Sequence, residues 1–252
     1  MSDDIARRNT WDDLRRLTAA RIGLARSGAS LATRPLLQFA LAHAQARDAV
    51  HEMLNEAKLT ADLASLDLPV LHIASAVTDR QQYLMRPDLG RQLADGAQAA
   101  LAPRAGAYDI AFVIADGLSA RAVKAHAAPV LREIAPALRR DNWRIAPVVI
   151  TRYGRVALGD AVATCLKADA VAMLIGERPG LSSPDSMGAY LTWRPHAGTT
   201  DAERNCISNI RPQGVGYSDA AFKIAALLRA MRARQISGVT LKDESDRLML
   251  NP

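Results

Sequence analysis

From Asp109 onward the chain alternates short apolar runs with longer stretches of helical spacing. Ile110–Ala115 is a compact apolar run, broken by Asp116-Gly117 and followed by a helix-like segment over Ala120–Arg139. Ile145–Thr151 is a second, β-branched run, followed by Gly154 and a helical stretch around Gly159–Lys167. Val171–Ile175 is a third, ending in Gly176-Glu177-Arg178-Pro179-Gly180, and Ala189–Trp193 reads as a fourth strand. Ser218 is placed to cap a last helix through Ala221, Ile224, Ala225, Leu228 and Met231. Continuously apolar strands separated by helices predict a parallel sheet covered on both faces.

The first third is helical in pattern. Thr10–Asp13 has the capping-box spacing, and Leu14, Leu17 and Leu24 recur at helical intervals. They predict a helix over Asp12–Arg26, ended by Gly28. A second helix is predicted from Pro35 through Leu36, Leu37, Phe39, Leu41 and Ala44 to Glu56. Between residues 60 and 107 the signal weakens: Leu68–Ser75 reads as a short strand, Asp88–Ala100 as a helix after Pro87. The expected fold is α/β. A helical N-terminal region (1–58), serving in subunit packing, precedes a Rossmann-like parallel-sheet C-terminal domain (59–252).

Composition narrows the classes. At 252 residues, 49% hydrophobic and 23% charged, the chain is ordinary globular protein. The longest apolar run falls far short of the ~20 residues of a membrane helix. Met1–Arg8 is polar, with neither a signal core nor a transit pattern, so a cytoplasmic location is expected. The net charge of +6 comes without a basic run, and aromatic residues are only 4%, so no nucleic acid is expected as partner. Two cysteines, Cys165 and Cys206, make neither a disulfide framework nor a zinc spacing. Cys165 reads as a small core residue.

Standard catalytic motifs are missing: no Walker loop, no His-Glu-x-x-His, no nucleophile elbow. Gly214 and Gly216 begin a dinucleotide fingerprint, but no third glycine follows and no strand is predicted before them. The histidines His43, His51, His72, His126 and His196 show no ligand spacing, and only His196 falls in a predicted loop. No catalytic or metal-ligating residue is therefore assigned. The loops Asp116–Ser119, Arg152–Val156 and Glu177–Ser183 follow predicted strands, and ligands bind at such carboxyl ends in open parallel sheets. Thr199–Arg211 reads as a further polar, irregular segment. Together they predict a cofactor platform without catalytic machinery of its own.

At those loops the sequence resembles a known family. The blocks RPDLGRQL (Arg86–Leu93), DGLSARAV (Asp116–Val123), TRYGRV (Thr151–Val156), LIGERPGLSSPDSMGAY (Leu174–Tyr190) and ERNCISNIRPQG (Glu203–Gly214) are similar to the small (light) subunit of ethanolamine ammonia-lyase. Asp13–Gly28 and Arg34–His51 extend the likeness toward the N-terminus. The resemblance implies adenosylcobalamin as cofactor, bound together with a larger barrel-type catalytic subunit in a hetero-oligomer. Ethanolamine would be held by that large subunit and converted to acetaldehyde and ammonia. The cobalamin would keep its own benzimidazole as lower ligand. Three cofactor contacts carry over by block: Val156, Glu177 and Cys206. The family often has a longer N-terminal extension associated with bacterial microcompartments. Here only Met1–Asn9 precede the first predicted helix, so shell association is not the expectation.

Each of the three residues has a physical rationale and a plainer alternative. Glu177 ends a strand and can accept hydrogen bonds, or it can simply pair with Arg178. Val156 offers an apolar surface, or packs in the core. Cys206 can lie against a large planar ligand, or be a buried thiol. At the level of the whole chain, two other functions compete. A stand-alone Rossmann-like enzyme with a nucleotide cofactor lacks its phosphate-binding glycines, and a purely structural partner subunit would not need the crevice loops.

Overall fold

The computed structural model describes residues 10–245, so the Met1–Arg8 segment and the side chain of Thr10 lie outside the described residues. The elements in chain order are α1 (Thr10–Arg15), β1 (Arg26–Ser27), β2 (Ser30–Leu31), α2 (Thr33–His51), α3 (Glu56–Leu63), β3 (Val70–Ala74), α4 (Arg80–Met85) and α5 (Ala97–Leu101). They continue with β4 (Tyr108–Ala115), α6 (Ala120–Arg140), β5 (Val148–Arg152), α7 (Leu158–Leu166), β6 (Ala168–Gly176), β7 (Met187–Trp193), β8 (Asn205–Ile210) and α8 (Tyr217–Arg234).

The six-stranded sheet has the order β3-β5-β4-β6-β7-β8. Strands β3, β5, β4 and β6 are parallel, in registers such as Val113 opposite Val149 and Ile114 opposite Leu174. The apolar run of β4 is buried from both sides because alternate residues serve two cores. Ile110, Phe112 and Ile114 pack under α6 and α8, whereas Ala111, Val113 and Ala115 pack against α7. After β4 the chain returns on one side as β5, then crosses β4 to become β6 on the other. The crevice at the carboxyl ends of β4 and β6 is thus where the winding direction reverses. Gly117 and Gly176 let the two strand-ends meet there. A Cβ on Gly117, whose φ is +54°, would lie 2.4 Å from the Gly176 carbonyl oxygen.

Four sequence expectations change. The sheet is mixed, not parallel: β7 and β8 run antiparallel. Only the loop 177–186 joins β6 to β7, and a parallel return needs a crossover of a dozen or more residues. The segment Thr199–Arg211 is not all loop. It contains a 3₁₀ turn (Asp201–Glu203) and then the edge strand β8. The helix expected over Asp12–Arg26 stops at Arg15, whose Nε donates to the Ile22 carbonyl at 2.9 Å. Leu17 is 84% exposed, and Gly28 sits in the β1–β2 hairpin at φ +60° instead of capping a helix. A short helix is marginal unless a face is packed, and Leu14 and Leu17 stay 43% and 84% exposed. The fourth change lies in the helix bounds. Asp88–Ala100 resolves into a 3₁₀ turn (Leu89–Arg91) and α5. The helix from Pro35 ends at His51, and Asn55 starts α3 by accepting the Lys58 N–H at 2.9 Å. The α8 cap is Gly216, without a side-chain bond from Ser218. Helix α3 runs across residue 58, and Leu54, Leu59 and Leu63 join the core beneath α6.

Candidate functional site

A crevice of about 220 Å³ opens at the strand-ends, lined by Leu118 after β4, Arg155 and Val156 after β5, and Ile175, Gly176, Glu177 and Arg178 at the end of β6. Tyr83 of α4 and Tyr190 of β7 complete it. Val156 and Glu177 therefore share one cavity. Cys206 is not in its lining, but stands directly opposite Tyr190 across the β7–β8 ladder. Val156 and Tyr190 both pack against the core on the α7 side of the sheet.

Glu177 is half-buried and does not pair with Arg178. Its Oε1 accepts the Ser208 hydroxyl at 2.5 Å, and its Oε2 accepts the Ser186 hydroxyl and the Asn209 N–H, the latter at 3.1 Å. The carboxylate thus ties the start of the β6–β7 loop to β7 and β8. Two oxygens offer about four acceptor positions. Three are used, leaving one for a ligand. Gly188 makes the arrangement possible, since a Cβ there would lie 2.8 Å from Oε1.

Cys206 lies on the exposed edge strand, beside the Tyr190 hydroxyl. Loss of solvation at its sulfur pushes the thiol above its ordinary value, the Tyr190 contact opposes this, and the Glu177 charge adds to it. Cys206 is a neutral thiol at physiological pH. Tyr190 is likewise pushed upward, mainly by burial.

Paired charges lie beside Tyr83, outside the lining itself. Asp116 accepts the Tyr153 N–H at 2.6 Å and faces Arg80 at 3.7 Å. Burial dominates, raising its carboxyl to about 6. Tyr83 is fully buried between the guanidiniums of Arg155 (4.1 Å from the ring centroid) and Arg80 (4.8 Å). The tyrosine's own hydroxyl donates to the Gly154 carbonyl at 3.3 Å, and burial pushes it up to about 12. Arg155 lines the crevice stacked on Tyr83, with its Nη2 donating to the Tyr83 carbonyl at 3.0 Å.

A larger cleft of about 800 Å³ lies beyond Val156, lined among others by Ala157, Asp160, Thr164, Cys165, His196 and Arg204. Asp160 and Arg204 form a buried two-pronged ion pair at 2.7 and 2.6 Å. None of Val156, Glu177 and Cys206 lines it. The smaller crevice is the candidate site, because it occupies the reversal point and gathers the strand-end loops. His196 is exposed, bonded within its own turn, and Gly214 and Gly216 form the turn into α8. Among the described residues no group of three or more His, Cys, Asp or Glu side chains is placed to hold a metal ion. Nor is any described helix long and apolar enough to cross a membrane.

Sequence reasoning missed Tyr83, Tyr190, Ser186, Ser208 and the Asp116–Arg80 pair. Arg155 could have been found from its place beside Val156. Tyr83 carries no local signal, because α4 reaches the site from a distant part of the chain.

The geometry is that of a mixed α/β domain with a crevice at its strand-ends. A profile of the ethanolamine ammonia-lyase light chain matches residues 8–242. The chain is 53% identical to the ethanolamine ammonia-lyase small subunit of Ralstonia nicotianae over 94% of its own length and 90% of that relative's. The small subunit of Xanthomonas campestris pv. campestris is 52% identical over 96% and 91%, and that of Bradyrhizobium diazoefficiens 53% over 97% and 95%. The chain belongs to the ethanolamine ammonia-lyase small-subunit family.

Proposed function

We propose that this chain is the cofactor-binding, non-catalytic subunit of an adenosylcobalamin-dependent ethanolamine ammonia-lyase. A large subunit holds ethanolamine and completes the site, and the assembly converts ethanolamine to acetaldehyde and ammonia. The observation that carries the proposal is the meeting of Val156, Glu177 and the Tyr190–Cys206 pair at the reversal point of the sheet. When bound, adenosylcobalamin supplies a carbon radical by cleavage of its cobalt–carbon bond.

The residues suit a large, amide-fringed, partly planar molecule. Val156 and Leu118 offer apolar contact at the rim. Glu177 keeps one acceptor position for an amide N–H, and the Arg155 guanidinium, which lines the crevice, keeps further donors that suit amide carbonyls. Cys206, held neutral, is a soft surface and not a nucleophile. A crevice of about 220 Å³ covers only an edge of such a molecule, so a second subunit must enclose the rest. No acid–base pair converges on the crevice, and hydrogen transfer is left to the large subunit.

Titration of the assembled complex with cobalamin, beside thermal melts of the same samples, tests the assignment. A hydrogen bond to a charged group is worth ~1.5–3 kcal/mol. Glu177→Ala should therefore weaken binding roughly ten- to a hundredfold. Glu177→Gln should weaken it less. Its oxygen can replace Oε2, and its amide can donate to the Ser208 hydroxyl, so the clamp survives while the charge is lost. Both variants binding like wild type, with only the melting temperature lowered, would make the carboxylate structural and end the assignment.

A further inference from the structure

The β6–β7 loop is fastened at its neck and along its far side. Glu177 N–H donates to the Ser186 carbonyl at 2.9 Å, closing the neck. Ser119 Oγ donates to the Pro184 carbonyl at 2.9 Å, and Arg211 Nη1 to the Ser182 carbonyl at 3.0 Å. Asp185 adds charge contacts rather than hydrogen bonds. Its Oδ1 lies 3.0 Å from Arg211 Nη2 and its Oδ2 lies 3.4 Å from His126 Nε2. His126, only 3% exposed in α6, is in turn 2.9 Å from the hydroxyl of Tyr217, the first residue of α8. One carboxylate thus joins the loop to α6, to the segment after β8 and, through His126, to α8.

The register gives this a consequence at the crevice. Asp185 immediately precedes Ser186, and Arg211 follows Asn209 by two residues. Ser186 Oγ and Asn209 N–H are two of the three donors that hold the Glu177 carboxylate. Asn209 donates from a left-handed backbone conformation, at φ +59°, which a loosened strand-end would readily abandon. The Asp185–Arg211 pair fixes the separation of the two segments from which those donors project. None of Asp185, Arg211, His126 and Tyr217 lines the crevice itself.

We propose that Asp185 is a positioning residue for Glu177, with Arg211 as its principal partner. The proposal rests on Glu177 being a cofactor contact. Burial keeps the His126 imidazole below its usual value, and therefore neutral near pH 7. His126 cannot substitute for the Arg211 charge. Loss of the pair leaves Asp185 without a countercharge and frees Ser186 and Asn209 to drift, so that the Glu177 carboxylate is held in several orientations.

The test uses the complex with the large subunit, hydroxocobalamin as the titrated probe, and absorbance as the readout. Asp185→Asn, which keeps the shape and removes the charge, should weaken binding roughly three- to tenfold. In a Glu177→Ala background the same substitution should change binding less than about twofold, because its route to the cofactor is gone. Equal weakening in both backgrounds, or a lowered melting temperature with wild-type binding, overturns the positioning role. Glu177→Ala alone binding like wild type overturns the reading of Glu177 instead, and the positioning role falls with it. Should Asp185→Asn fail to assemble, Arg211→Gln in the same two backgrounds carries the same expectations and the same refutations.

Discussion

The two longest helices, α2 with 19 residues and α6 with 21, are treated in opposite ways by the fold. On α6, Val123, Val130, Leu131, Ile134 and Leu138 are all fully buried against the sheet and α8. On α2 only Ala42 and Ala49 are buried, while Leu36, Leu37, Phe39 and Leu41 are 42–64% exposed. Both segments are rich in apolar side chains. The difference is that α6 has a sheet beneath it, whereas α2 touches α6 and Arg80 but among the described residues buries only its small side chains Ala42 and Ala49. Among the described residues, the large apolar side chains Leu36, Leu37, Phe39 and Leu41 of α2 stay largely uncovered. An exposed apolar surface of this kind is one that a partner can cover.

The comparison predicts that the sheet side is fragile and the α2 side tolerant. The largest effect should come from the buried pair Arg204–Asp160, where Arg204 is 3% exposed at its side chain. Burial raises the Asp160 carboxyl, and Arg204 opposes that rise. Arg204→Met leaves an uncompensated carboxylate inside the protein. A loss of ~3–5 kcal/mol is expected, read as a fall in the urea midpoint at neutral pH. A loss below ~1 kcal/mol would mean that this wall of the larger cleft is as loosely built as α2.

A smaller effect should come from Asp116, and with the opposite sign. Its carboxyl titrates near 6 in the folded state, above the ordinary 3.8. The folded protein holds that proton more tightly than the unfolded chain does. The stabilisation is complete below about pH 4 and is lost as pH rises through about 6. At ~1.4 kcal/mol per pH unit, ionisation costs the fold up to about 3 kcal/mol. Asp116→Asn should be more stable than wild type at pH 7.5, and the difference should vanish below pH 4. His126 works the other way, since its depressed value costs stability as pH falls below its ordinary range. The pH dependence must therefore be read as the difference between variant and wild type. A variant less stable at pH 7.5 would show that the Arg80 contact outweighs burial.

The same contrast explains which parts of the fold could be read from the sequence. Strands β4, β5 and β6 were legible because both faces are buried, which forces unbroken apolar runs such as Ile110–Ala115 and Val171–Ile175. Strand β8 was not, since it lies at the edge and only Ile207 and Ile210 point into the core. Their spacing of three comes from a bulge, where Met187–Ala189 of β7 faces Ile207–Ile210. The Leu14/Leu17/Leu24 stripe misled for the converse reason. Periodicity signals a helix only where a surface exists to reward it, and Leu17, just beyond Arg15, is 84% exposed. At the site, the loops Arg152–Val156 and Glu177–Ser183 were legible as following apolar runs, whereas Val156 and Glu177 themselves were singled out by the family resemblance. The clamp on Glu177 was not, because Ser186, Ser208 and Asn209 converge only through antiparallel pairing that the local pattern does not announce.

The smallest expected effect is the most direct test of the comparison. Leu37 and Leu41 lie one turn apart on α2 and are 64% and 60% exposed. Leu and Gln have nearly equal helix propensity, so changing both to Gln should leave α2 intact. With little buried area lost, the isolated chain should keep its stability within about 0.5 kcal/mol, or roughly 1–2 °C in melting temperature. Leu131→Ala on α6 is the control, and should cost ~2–5 kcal/mol. The leucines should matter only in the assembly. Covering two such side chains contributes up to ~1.5–3 kcal/mol each, so the double variant should co-elute less completely with the large subunit at low micromolar concentration. A melting temperature lowered by several degrees in the isolated chain would place the leucines against this chain after all. Unchanged co-elution would remove α2 from the subunit contact, leaving its apolar surface without the role that distinguishes it from α6.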